Sequence, residues 1–101
     1  MMSDAIDLVR FRLQPGKTAA DWLKANEKIN EWVQAQPGFR FHSVSETEDG
    51  EWWDLVYWAS MEAALAAGEK FMSELGEVIA PLIALESVVV SRGKAHVMQP
   101  G

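Results

Sequence analysis

The segment Trp52-Trp53-Asp54-Leu55-Val56-Tyr57-Trp58 constrains the fold of this chain more than any other. Its aromatic and branched side chains are typical of a β-strand, in which successive side chains point to opposite faces of a sheet. Every residue except Asp54 is bulky and apolar, so both faces of the strand carry apolar groups. An antiparallel sheet with one solvated face alternates apolar and polar residues instead. The segment therefore predicts a strand that is covered on both sides.

The remaining elements follow from periodicity and from turn residues. The predicted order is a strand over 5–13, a helix from the N-cap Thr18 to about Gln36, strands over 39–47 and 52–59, a helix from the cap Ser60 to about Ala80, and a strand over 85–91. Ser73 or Gly76 is expected to interrupt the second helix. This order predicts an α+β, ferredoxin-like βαββαβ fold with a four-stranded antiparallel sheet and both helices on one face. One domain spans 1–101, with a core over about 5–91 and a tail over 92–101. The alternative for the tail is that it extends the last strand toward Val97.

The dipeptide Asp49-Gly50 predicts a hairpin between the second and third strands. If these are the two central residues of the turn, Phe41 faces Trp58 and Ser43 faces Val56. Asp54 shares that side of the sheet, and His42 pairs with Tyr57 on the opposite side. His42 is then expected in a subunit contact.

Two helices can cover only one face of this sheet, so its second apolar face needs another partner. Exposing Trp53, Leu55 and Tyr57 to water would forfeit roughly 1.5–3 kcal/mol for each side chain. It would also leave an apolar patch larger than soluble monomers usually carry. We therefore predict a homodimer in which two sheets pack face to face. The alternative is that the tail or a bent helix covers this face.

Composition excludes several classes of function. The net charge is −6 with no Lys/Arg cluster, which argues against nucleic-acid binding. There are no cysteines, and the two histidines, His42 and His96, are too far apart for a metal signature, so no metal is expected. No apolar run approaches membrane-spanning length, and no nucleotide fingerprint occurs. The first residues lack the pattern of a signal peptide, so the expected location is the cytoplasm.

Three stretches carry a family resemblance: Leu8–Gly16, Gln36–Phe39, and Trp53–Trp58 followed by Ser60 and Glu62-Ala63-Ala64. The chain resembles the dimeric α+β barrel superfamily and, within it, the antibiotic biosynthesis monooxygenase-like group. The resemblance implies a dimer whose two sheets form a barrel, with a ligand cavity between sheet and helices in each subunit. It also implies oxidation of electron-rich aromatic or polyketide-like substrates by dioxygen, without a cofactor.

Some relatives in this superfamily degrade haem with an Asn, Trp and His set. The resemblance puts Trp58 at the position of their Trp. Val9 replaces their Asn, and the second helix has no His. Haem degradation is therefore not expected of this chain.

Asn26 is the most informative polar residue, because helical spacing puts it near the centre of the first helix's apolar face, with Asn30 at the edge. A buried amide needs a hydrogen-bond partner, which is either a protein group or a ligand. Trp58 is either core or one wall of a ligand site. We predict Asn26 and Trp58 as catalytic residues, with Asn26 orienting a carbonyl or an oxygen intermediate.

A ligand-binding wall is predicted around Trp58, with small polar groups that orient an apolar or aromatic ligand. Its predicted members are Trp22, Asn30, Phe41, Ser43, Asp54, Phe71 and Met72. Asp54 is a base if it is buried, and otherwise an exposed or Ser-bonded carboxylate. Arg10 and Arg12 either hold an anionic group or form salt bridges. The predicted function is a small-molecule-binding homodimer that acts as a cofactor-independent monooxygenase. The alternatives are a non-catalytic ligand-binding or stress-associated domain, and an isomerase or cyclase of the same fold.

Overall fold

The computed structural model describes residues 4–101. The expectation that the first residues form no signal peptide falls partly outside this range. The elements in chain order are β1 (Ala5–Leu13), α1 (Ala19–Gln34), β2 (Phe39–Glu46), β3 (Trp52–Trp58), α2 (Met61–Ile79) and β4 (Ile83–Lys94). The strands form one antiparallel sheet in the order β2-β3-β1-β4. This topology confirms the predicted ferredoxin-like βαββαβ fold. Within the described range, neither helix is long and apolar enough to cross a membrane.

Helix α1 begins with the capping box that its sequence predicts. The Thr18 hydroxyl accepts the Asp21 N–H at 3.2 Å, and the Asp21 carboxylate accepts the Thr18 N–H at 2.9 Å. These bonds satisfy backbone donors that the first helical turn leaves unpaired. The same backbone hydrogen bond holds the pKa of Asp21 below its ordinary value, because it stabilises the charged carboxylate. The buried side of α1 carries Trp22, Asn26, Ile29 and Val33.

Helix α2 is continuous, so the predicted interruption at Ser73 or Gly76 is wrong. The Ser73 hydroxyl donates to the Lys70 carbonyl oxygen at 2.9 Å, which satisfies it inside the helix. Strand β4 starts at Ile83, two residues before the predicted start at Leu85, and it extends into the tail to Lys94, as the alternative for the tail allowed. Strand β4 pairs with β1 up to Lys94, which lies opposite Ala5. Just beyond this pair, the Ala95 N–H donates to the Asp4 carbonyl oxygen at 2.9 Å.

The two faces of the sheet differ in what covers them. The inner face, which packs against both helices, carries the buried residues Ala5, Phe11, Trp52, Val56 and Trp58. The outer face carries Ile6, Leu8, Arg10, Phe41, Trp53, Leu55, Tyr57 and Val89, as the strand registers require. On it, Phe41 is 48% and Trp53 40% exposed. These two side chains face water with the tail and both helices in place, so neither the tail nor a helix shields them.

The predicted hairpin register is wrong by one residue. Thr47 and Glu51 close the turn, with the Thr47 N–H donating to the Glu51 carbonyl at 2.8 Å, so the loop has three residues instead of two. Gly50 ends that loop with a φ of +88°, the left-handed conformation that a three-residue hairpin loop needs at this position. A shift of one residue moves each β2 side chain to the opposite face.

The corrected register pairs Phe41 with Tyr57, Ser43 with Leu55, and His42 with Val56. Phe41 and Ser43 therefore lie on the outer face, and His42 lies on the inner face. A second shift between Phe39 and Phe41 brings Phe39 opposite Trp58.

Candidate functional site

A cavity of about 430 Å³ lies between the inner face of the sheet and both helices. This volume falls in the range of pockets that hold small organic molecules. Its aromatic lining comes from three parts of the fold: Phe11 and Trp58 on the sheet, Trp22 and Trp32 on α1, and Phe71 on α2. The rest of the lining is mainly aliphatic, so the cavity suits an apolar or aromatic ligand.

Edge-to-face contacts hold the aromatic walls in place. The rings of Phe11 and Trp22 are 5.0 Å apart, and those of Trp32 and Phe71 are 5.7 Å apart. This arrangement brings the positive edge of one ring to the negative face of the other. The Trp32 indole N–H also donates to Glu74 at 2.9 Å, which links α1 to α2. The walls are therefore fixed by contacts that need no ligand.

The polar edge of the cavity contains an ion pair between Asp7 and Arg92. The Arg92 Nε donates to Asp7 Oδ1 at 2.6 Å, and the Asp7 side chain is 13% exposed. Burial raises the pKa of Asp7 above its ordinary value, against the opposing effect of the Arg92 guanidinium. The charge of Asp54 on the neighbouring strand raises it further. The Trp58 indole N–H also approaches this carboxylate and favours its charged form, but it does not reach hydrogen-bonding geometry.

A second polar pair, His42 and Asp54, lies beside the first. His42 Nε2 and Asp54 Oδ1 are 3.0 Å apart, and the two side chains are 7% and 16% exposed. The expectation that His42 lies in a subunit contact is wrong, because the corrected register turns it toward the helices. Asp54 is neither exposed nor bonded to Ser, since its partner is this histidine. An imidazole N–H at this distance can donate a hydrogen bond to the carboxylate.

Four predicted ligand-binding residues line the cavity, namely Trp22, Asp54, Phe71 and Met72, and so does Trp58, which is predicted to be catalytic. Phe41 and Ser43 do not, because the register places them on the outer face, where the Phe41 and Tyr57 rings are 6.0 Å apart. Phe39 takes the place expected of Phe41, with its ring 6.4 Å from that of Trp58.

Asn26 is 3% exposed, as its position on the helical wheel predicts, but neither it nor Asn30 is among the residues that line the cavity. The Asn26 Nδ2 donates to Asn30 Oδ1 at 3.1 Å. Its Oδ1 has no hydrogen-bond partner within residues 4–101. The catalytic role of Asn26 stays a prediction.

Sequence reasoning missed Asp7, Arg92 and the inward position of His42. Asp7 is a lone carboxylate in an otherwise apolar stretch of β1, and such a residue needs a partner when it is buried. Arg92 falls in the predicted tail, and a tail residue is not expected to pair with Asp7 of β1. The part of the chain that the structure describes contains no group of three or more His, Asp or Glu residues that could hold a metal ion.

Comparison with known proteins finds no matching family model and no matching curated protein. Solved structures do match. A protein of unknown function from Nitrosomonas europaea superposes with a TM-score of 0.78 at 14% identity, covering 99% of this chain and 96% of its own. SnoaB, a cofactor-independent oxygenase from Streptomyces nogalater, has a TM-score of 0.70 at 15% identity, with 97% and 96% coverage.

A candidate antibiotic biosynthesis monooxygenase from Caulobacter crescentus has a TM-score of 0.73 at 24% identity, covering 93% of this chain and 91% of its own. Together these likenesses show that the chain has the ferredoxin-like α+β fold of the antibiotic biosynthesis monooxygenase-like proteins. At such identities the likeness establishes the fold and leaves the activity to be argued from the site.

Proposed function

We propose that this protein is a homodimer that binds an aromatic or polyketide-like metabolite in the cavity and oxygenates it without a cofactor. The observation that carries the proposal is an aromatic-walled cavity of about 430 Å³ with two carboxylates, Asp7 and Asp54, at its polar edge. The apolar walls suit the body of such a ligand, and the carboxylates suit its acidic proton. The fold shared with SnoaB, which is a cofactor-independent oxygenase, supports the same reaction class.

The chemistry needs a substrate that becomes electron-rich when it loses a proton. For anthrone, removal of a ring C–H proton leaves an enolate, which gives electrons to dioxygen and forms a carbon–oxygen bond. The peroxide anion takes that proton back from the acceptor to give a hydroperoxide. Loss of water from the hydroperoxide gives anthraquinone, so one dioxygen is consumed and one water is released for each substrate. The protein's part is to accept the proton, to hold the ring against Trp58, and to keep bulk water away from the carbanion.

The homodimer is supported by the outer face of the sheet. Trp53, Phe41 and Val89 are each at least 40% exposed there, next to the half-buried Leu55 and Tyr57. Soluble monomers rarely leave such a continuous apolar surface in water. A two-fold axis would pack this self-complementary face against its copy.

Dioxygen uptake with anthrone tests the proposed reaction, and ligand binding measured by tryptophan fluorescence tests the cavity. Ala67 lines the cavity on α2 and is 5% exposed, so Ala67→Phe should fill the cavity and abolish both signals. Ala66 is exposed on the same helix, and Ala66→Phe should change neither signal. Trp58→Phe should weaken binding and turnover, whereas Asn26→Ala should affect binding less, because Asn26 does not line the cavity.

The outcomes separate the candidate functions. Binding without dioxygen uptake would support the non-catalytic ligand-binding domain in place of the oxygenase. Equal signals from the native protein and Ala67→Phe would show that the ligand does not occupy this cavity, and the proposal would be dropped.

A further inference from the structure

The Asp7–Arg92 ion pair lies where a bound ligand would meet the sheet. The two residues face each other on the adjacent strands β1 and β4, and both line the cavity. The contact is short, with 2.6 Å between Arg92 Nε and Asp7 Oδ1. The Asp7 side chain is 13% exposed and the Arg92 side chain is 37% exposed, so the carboxylate is largely withdrawn from water while the guanidinium still contacts it. A partly exposed pair of this kind adds little to stability. Its position therefore calls for a functional explanation.

Helix α2 makes room for this guanidinium. A Cβ atom at Gly68 would lie only 2.5 Å from Arg92 Nη2, so a larger residue there would displace the Arg92 side chain. Gly68 lines the same cavity. The guanidinium therefore lies at the rim of the cavity, against Gly68 of α2 and beside Asp7, with part of it in contact with solvent.

The groups around Asp7 make it ready to take up a proton. Asp54 lies diagonally across from it on β3, with His42 of β2 as its partner, and the Trp58 indole N–H points at the same region. Burial and the Asp54 charge raise the pKa of Asp7 in spite of the Arg92 and Trp58 contacts, so this carboxylate is a better proton acceptor than an exposed aspartate. Arg92, in contrast, keeps its charge in any such exchange.

We propose that Asp7 accepts the acidic proton of a phenolic or enolic ligand and that the ligand anion then replaces Asp7 as the partner of Arg92. The ligand's O–H or C–H bond breaks, the proton forms an O–H bond on the Asp7 carboxylate, and the electron pair stays on the ligand. One anion opposes Arg92 before and after the transfer, so no new charge is buried. This inference rests on the proposed function and names its proton acceptor, its anion site and its substrate class.

Anaerobic binding of para-nitrophenol tests this exchange, because its phenol and phenolate forms absorb at different wavelengths. The titration is made at a pH where the free compound is mostly neutral phenol, and proton release is measured by calorimetry in buffers of different ionisation enthalpy. The native protein should bind phenolate and release no proton, since Asp7 keeps it. Asp7→Asn should bind phenolate about tenfold more tightly and release about one proton per ligand, because it frees Arg92 for the anion.

Loss of the Arg92 charge should weaken the binding of para-nitrophenol, the opposite of the effect expected for Asp7→Asn. Arg92→Met should bind the compound as neutral phenol, about tenfold more weakly. Arg92→Lys keeps the positive charge and should retain part of the phenolate signal. It is the control for the case in which Arg92→Met folds poorly. An ion pair with a purely structural role would instead make Asp7→Asn and Arg92→Met weaken binding together, and that result would overturn the inference.

The matched probe para-nitroanisole has no acidic proton and separates this inference from the proposed function. It should bind the native protein, and its affinity for the Asp7 and Arg92 variants should not follow the opposite tenfold changes expected for para-nitrophenol. If it binds but para-nitrophenol stays neutral in the native protein, the proton exchange is wrong and the cavity still binds aromatic ligands. If neither compound binds, the proposed ligand site fails as well.

Discussion

The inner and outer faces of the sheet are built from the same strands, but they differ in charge and in what covers them. One row across the inner face contains His42, Val56, Asp7 and Arg92, and the row behind it on the outer face contains Phe41, Tyr57, Ile6 and Gly93. The inner row mixes charge with apolar groups, and each of its charged or titratable side chains has a partner. The outer row is apolar and is covered by no helix or strand of residues 4–101. This difference is what the proposed function requires, with one face for a ligand and the other for a second subunit.

Adjacent tryptophans on β3 give the largest test of this comparison. Trp52 points inward and is 4% exposed, whereas Trp53 points outward and is 40% exposed. Trp52→Ala should lower the free energy of unfolding by about 3–5 kcal/mol, as expected for a large aromatic residue removed from a core. Trp53→Ala should cost less in the isolated subunit. Urea unfolding followed by circular dichroism measures both values.

Protein concentration sharpens the tryptophan comparison. If a partner covers the outer face, the cost of Trp53→Ala should grow as concentration rises, because only the dimer buries that side chain. The cost of Trp52→Ala should not depend on concentration in this way. Equal, concentration-independent costs for the two variants would contradict the assignment of the two faces.

A charge at the centre of the outer face should separate the subunits. Leu55 lies there, between Leu8 and Ser43 on the neighbouring strands, so Leu55→Asp would bury an unpaired carboxylate in a sheet-to-sheet interface. Size-exclusion chromatography with light scattering should give twice 11.3 kDa for the native protein and 11.3 kDa for the variant. Leu23→Asp, on α1 where Leu23 is 50% exposed, is the control and should stay dimeric. A native protein of 11.3 kDa at micromolar concentration would remove the case for a partner.

Much of the fold could be predicted from the sequence because local rules decide it. The capping box at Thr18 and Asp21, the turn glycines and the alternation along β1 each fix one element within a few residues. The continuity of α2 could not be predicted, because Ser73 satisfies its own hydroxyl inside the helix, and glycine propensity alone does not end a helix that is packed against a sheet.

The candidate site was predicted less well than the fold. Much of the error comes from the β2–β3 register, which differs by one residue from the predicted register. Asp49-Gly50 is compatible with a two-residue turn and with a three-residue loop that ends at Gly50, and the choice exchanges Phe41 with His42 between the faces. The Asp7–Arg92 pair was missed for another reason. It joins residues 85 positions apart, and such contacts depend on strand order, which local pattern does not encode.

Gly50 offers the smallest test, because it controls that register. Its φ of +88° is strained for residues with a Cβ atom, so Gly50→Ala should cost about 1–2 kcal/mol of unfolding free energy. Gly50→Asn should cost less, since Asn tolerates the left-handed region. Gly16→Ala is the matched control: Gly16 has a φ of +85° and open space around its Cβ position, but it lies outside the hairpin.

Both alanine variants should therefore lose similar stability, and only Gly50→Ala should disturb the faces of β2. The NMR signals of the His42 ring report this disturbance, because they depend on its contact with Asp54. Unchanged His42 signals in a destabilised Gly50→Ala protein would mean that inner-face packing holds the register without help from the turn. In that case packing in the core, and not the loop, would determine which β2 side chains lie on each face of the sheet.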